Sequence, residues 1–216
     1  MKKVFIIQTF YLFLTVFTVT VMSCQKDSIE PVMELTIDSK QKVLTVEKNG
    51  VGIEFCLLNE NGEPATVFYE GENFRFHMAI KNNVEPDTAM YIVSDFLINP
   101  GLFRVFSNTV DTIGKPVDFL AADLISLKAN KIKQGEKWVM EIPWHETRGS
   151  EAPFDYHNLI WFLHHYFIGL NQPPLSKGTY YTKFTQQFCL GKYLPHPQSE
   201  SVCTDTLQLK INFEIK

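Results

Sequence analysis

From Thr206 to Lys216 apolar and polar residues alternate without a break. Leu207, Leu209, Ile211, Phe213 and Ile215 fall on one side, and Gln208, Lys210, Asn212 and Glu214 on the other. Successive strand side chains point to opposite faces, so a period of two describes a strand with one buried and one wet face. The period recurs over Glu72 to Lys81, where Phe74, Phe76, Met78 and Ile80 share a face and Arg75, His77 and Lys81 take the other. It recurs in Lys137 to Trp144, where Trp138, Met140, Ile142 and Trp144 alternate with Val139, Glu141 and Pro143. Val43 to Glu47 and Val51 to Leu58 flank Lys48-Asn49-Gly50, and Asn-Gly suits the positive φ angles of a tight hairpin. Asn59-Glu60-Asn61-Gly62 is a further turn. Ala89 to Leu97, Leu102 to Phe106 and the aromatic, Thr-rich stretch Thr179 to Phe188 add more apolar runs. Many short strands separated by turn signals predict an all-β, antiparallel sandwich.

One segment departs from this period. From Asp155 to Leu170, residues Tyr156, Leu159, Ile160, Leu163, Phe167 and Leu170 fall at helical spacing. Asp155 can cap its start, and Gly169 with Pro173-Pro174 can end it. The reading is one short helix within an insertion at 145–177.

The amino-terminal stretch sets the compartment. Lys2 and Lys3 precede an uncharged, largely apolar run from Val4 to Met22. Val21-Met22-Ser23-Cys24 resembles the lipobox of bacterial lipoproteins: a branched apolar residue, a small residue before the cut, then the Cys whose thiol takes the diacylglycerol. The resemblance implies a signal peptide over 1–23, lipidation of Cys24 and attachment to the membrane through that lipid. A plain membrane anchor with a chance Cys is the alternative. Residues 24–32 then read as a polar tether and 33–216 as the domain. The acidic residues Asp27 and Glu30 resemble those that direct lipoproteins to the outer face of the outer membrane, so a surface-exposed outer membrane lipoprotein is expected, with periplasmic retention as the alternative.

The phrases that lead into strands carry a second resemblance. Glu70-Gly71-Glu72-Asn73 precedes the strand that ends at Asn82-Asn83. Gln134-Gly135-Glu136 precedes Lys137 to Trp144, and Ser176-Lys177-Gly178 precedes Thr179-Tyr180-Tyr181. This order is similar to immunoglobulin-like domains of the BsuPI proteinase-inhibitor type over about residues 50–216. It implies an immunoglobulin-like sandwich and offers no catalytic residue. An inhibitory role would follow by analogy of fold alone.

Chemistry-bearing residues are few in pattern. The chain has four Cys and six His. With Cys24 assigned to lipid, Cys56, Cys189 and Cys203 remain, and an oxidising compartment permits a disulfide. Three pairings are open; Cys189 and Cys203 flank a loop between the last two strands and fit a hairpin staple, while Cys56 lies on the less apolar face of its strand. His157, Trp161 and His164 fall along one face of the expected helix. His157 and His164 are seven residues apart, about 10 Å along a helix, too far for one metal ion. No metal and no cofactor is therefore expected. Nucleophile elbows, zinc-protease motifs, phosphate loops and dinucleotide glycine patterns are missing from the sequence.

The full chain carries 20 basic and 24 acidic residues. Loss of 1–23 removes Lys2 and Lys3, leaving a net charge of −6, which disfavours nucleic acid as a partner. The resulting expectation is a lipid-anchored binding or accessory module without catalysis. It would recognise an extracellular protein or glycan through Trp144, His157, Trp161, His164 and Tyr166. A proteinase-inhibitor-like protein and a glycan-acting hydrolase with facing carboxylates are the rival readings. For the insertion itself, capping the open end of the sandwich stands beside recognition.

Overall fold

A computed structural model describes residues 33–37, 41–85, 88–109, 112–119, 131–145, 167–169, 172–193 and 200–216. All of them lie in one compact unit, Val32–Lys216. In chain order the strands begin with β1 (Met33–Ile37), β2 (Val43–Lys48), β3 (Val51–Leu58), β4 (Val67–Phe68) and β5 (Arg75–Asn82). β6 (Met90–Ile92), β7 (Val105–Ser107), β8 (Val117–Phe119), β9 (Lys131–Ile132) and β10 (Lys137–Pro143) follow. The last are β11 (Phe167–Gly169), β12 (Gly178–Gln186), β13 (Cys189–Gly191), β14 (Ser201–Cys203) and β15 (Leu207–Ile215). The only helical turn among the described residues is a 3-10 segment, Ser94–Ile98. The apolar run Ala89 to Leu97 is thus a short strand followed by that turn.

Two sheets face each other. One has the order β10-β5-β3-β2; the other has β1-β15-β12-β7, with β4 also on β15. Each turns its alternate apolar residues inward. Ile53, Phe55, Leu57, Phe76, Met78 and Ile80 come from the first sheet, and Leu209, Ile211, Phe213 and Phe184 from the second, all buried. Aromatic rings join the layers: Phe55 meets Phe184 edge-on at 5.2 Å, and Phe74 lies 5.3 Å from Phe213. Such pairs add to the burial itself. Among the described residues the buried core runs from Ile37 to Ile215.

The Asn-Gly hairpin is present. Asn49 and Gly50 have φ of 53° and 79°, and the register sets Lys48 opposite Val51. A Cβ on Gly50 would come within 2.8 Å of the Val84 backbone, so glycine is needed there twice over. The expected antiparallel pairing holds with two exceptions: β1 and β4 both run parallel to β15. Alternation specifies a strand but not its direction, and nothing in Met33–Ile37 distinguishes the two.

β1 enters at Met33, opposite Leu207, the first residue of β15. This entry end of the sandwich is covered by a small sheet of order β14-β13-β6-β9. Asn82 ties it down: its buried amide donates to the carbonyls of Thr88 and Ile132 and accepts from the Val84 N–H, which leaves no part of it unpaired. Asn49 does the same from the hairpin, donating to the Cys203 carbonyl at 2.8 Å. Cys189 and Cys203 sit directly opposite each other on β13 and β14 and form a disulfide. Cys56 is a free, buried thiol.

Phe167–Gly169, the last turn of the expected helix 155–170, is a strand paired antiparallel with Val117–Phe119; Gly169 faces Val117 across a ladder and caps no helix. The segment 146–166 lies outside the described residues.

Candidate functional site

The opposite, far end of the sandwich is where the long excursions leave it. β10 ends at Pro143, and Trp144 donates its backbone N–H to the Phe74 carbonyl, extending the ladder by one residue. Asn73 then imitates a strand residue with its side chain. Its amide donates to the His145 carbonyl at 2.8 Å, and its oxygen accepts the His145 N–H at 3.1 Å. The chain is held in register through His145.

Trp144 is buried, 1% exposed, and stacks on Phe74 at 5.7 Å. Its indole N–H donates to the Pro173 carbonyl at 2.9 Å. Trp144, expected among the recognition residues, is therefore packed into the core. It shares a side with Met140 and Ile142, and that side is the core. Its polar edge joins the outgoing chain to the returning one, a positioning role. Cys24, His157, Trp161, His164 and Tyr166 lie outside the described residues.

A second excursion leaves after β7. Gly114 bridges back to Val105, and the chain continues into β8. β8 pairs with β11, so the two excursions, far apart in sequence, meet in a two-stranded ribbon. Gln172 fastens its base, donating from Nε2 to the Lys115 carbonyl at 2.9 Å. Glycine at 114 makes room, since a Cβ there would lie 2.6 Å from Gln172 Oε1. The far end also carries Tyr69, 72% exposed at the turn after β4, and half-buried Tyr180, whose hydroxyl donates to the Ser176 carbonyl. Sequence reading passed over Tyr69. Its exposure follows from its place after Phe68, which points into the core.

A polar cluster occupies the outer face of the β10-β5-β3-β2 sheet. His77 lies between Glu141 on β10 and Glu54 on β3. Its Nδ1–H donates to Glu141 Oε1 at 2.9 Å, while Nε2 lies 3.3 Å from Glu54 Oε1, within ion-pair distance but outside hydrogen-bond geometry. Arg75 NH1 approaches Glu141 at 3.9 Å, and Lys137 approaches Glu54 at 3.7 Å. The hydrogen bond from His77, with Arg75 near, holds the Glu141 carboxyl below its ordinary range despite partial burial. Cys56 faces His77 across the strands, and burial, with Glu54 and Glu141 nearby, pushes its thiol up to about 12. A thiol so raised is not a nucleophile at neutral pH. Each carboxylate already faces a cation, so the cluster works as a charge-compensated strap across three strands. No group of three His, Cys, Asp and Glu among the described residues is placed to hold a metal ion.

The other outer face has its own row. Phe106 stacks on Tyr181 at 5.1 Å, and the Lys210 ammonium sits 5.1 Å from the same ring. β12 lies between β7 and β15, so Tyr181 is flanked by Phe106 and Lys210.

No protein-family model matches the chain, and no curated protein matches it.

Proposed function

We propose that this chain is a lipid-anchored cell-surface binding module, held to the membrane through Cys24, that recognises an extracellular protein or glycan with its paired excursions. The reading is carried by the placement of the two ends. The domain begins at Met33 beside the start of β15, and the excursion is rooted at Trp144 and Pro173, near that strand's other end through Phe74 and Phe213. Nine residues of β15 at about 3.3 Å each separate them by roughly 30 Å. A binding element on an anchored stand belongs at the end away from the anchor. The disulfide agrees with an oxidising compartment.

The experiment has two arms. Radiolabelled fatty acid should enter the full chain and not the Cys24→Ser variant; incorporation into the variant refutes the anchor. Residues 25–216, presented to a glycan array and to surface extracts, should yield a ligand whose affinity falls in Trp161→Ala and His164→Ala with the melting temperature nearly unchanged. Unchanged affinity in both variants assigns the excursion to structure.

A further inference from the structure

Unlike the edge strands β2, β7 and β10, β1 runs parallel to its partner. It has one partner in its sheet, β15, and five rungs of parallel register, Met33↔Leu207 to Ile37↔Ile211. The Met33 N–H donates to the Thr206 carbonyl at 3.1 Å, and the Asn212 side chain reaches the Ile37 carbonyl at 3.4 Å. Ile37 is wholly buried and Leu35 packs against the core, whereas Met33, Glu34 and Thr36 are exposed. The strand is thus held by one ladder and two side chains.

We infer that β1 is a shear latch that carries tension between the membrane anchor and whatever the far end holds. The inference rests on the anchored reading above. Its geometry follows from direction. Tension entering at Met33 pulls β1 along its own axis, toward the entry end. Resistance at the far end pulls β15 the opposite way. The two strands are parallel and Met33 lies at the start of both, so the pull slides one past the other and loads the five rungs together. Had β1 run antiparallel, Met33 would sit at the far end, and the same pull would open the rungs one at a time from there. The burial of Ile37 and Leu35 adds to the resistance, because sliding by one residue turns both out of the core and brings Glu34 and Thr36 in.

The test is single-molecule force spectroscopy on residues 33–216, which contain the buried core of the described residues. One geometry pulls between the two termini, which lie at opposite ends of the β1–β15 pair. The other pulls between the amino terminus and a handle at Asp205→Cys, beside the start of β15, and so unzips β1 in the same folded protein. The expected result is several-fold more force in the first geometry, with Leu35→Pro lowering the first force toward the second. Equal forces in the two geometries overturn the latch, as does a first rupture that leaves β1 paired. Either outcome stands apart from the fate of the anchor, which fatty-acid labelling decides separately.

Discussion

Thr182 turns its hydroxyl inward from β12 between Ile211 and Val105, wholly buried, and no described residue bonds to it. A buried hydroxyl that has given up water for nothing is a cost. Thr182→Val keeps the branched shape and removes that cost. It should raise the unfolding free energy by about 1 kcal/mol, read as a higher denaturant midpoint at unchanged slope; a fall would mean that the hydroxyl has a partner. Glu141 makes the opposite kind of contribution. Its carboxyl is held below the ordinary 4.5 by the His77 hydrogen bond first, with Arg75 assisting. A depressed folded value gives stability that is present above the unfolded value and lost as pH falls through the folded one. Acid titration from about pH 5 downward should therefore cost the native chain more stability than Glu141→Gln, and parallel curves would remove the carboxylate from the account. The sequence put His77 on the outer face correctly. It could not show that Glu54 and Glu141 flank it, because that depends on the register of three strands, which one sequence does not state.

The hairpin β13–β14 spans a sequence separation of 14 between its cysteines. Closing a loop of that size is worth about 3 kcal/mol in the chain-entropy model. The Cys189→Ser, Cys203→Ser double variant should lose about that much, with β15 still paired to β12. A loss near zero would show that the hydrogen bonds of the small sheet hold it without the disulfide. In the native protein Cys56, buried and with its thiol raised, should resist alkylation until the fold opens. Strands were the most legible elements. β2, β3, β5, β10 and β15 fall where the period of two puts them, since each has one face in the core. Trp144 was readable on the same ground, as it continues the side of Met140 and Ile142. β11 was not readable. Phe167-Ile168-Gly169 suits the end of an amphipathic helix as well as a strand, and only β8, distant in sequence, decides between them.

The described part of Val32–Lys216 is a pair of layers with one end covered by a stapled sheet and the other end giving rise to the excursions. Because its core begins at Ile37 and closes at Ile215, residues 33–216 should fold alone with one cooperative transition. A fragment that stays molten would show that residues ahead of Met33 take part in the fold. The sandwich could be foreseen from alternation and turns, but its two parallel edges could not, nor could the meeting of the excursions, since both are relations between distant segments. The parallel edge at β1 also has a consequence in time. A chain is made from its amino terminus, and β1 is the first strand to appear. Its partner β15 is the last: Met33 must wait for Leu207. Until then Ile37 and Leu35 have no sheet to join. Contacts so far apart in sequence make folding slow. Closure is therefore the final event, and every earlier intermediate shows an unpaired β1 to its surroundings.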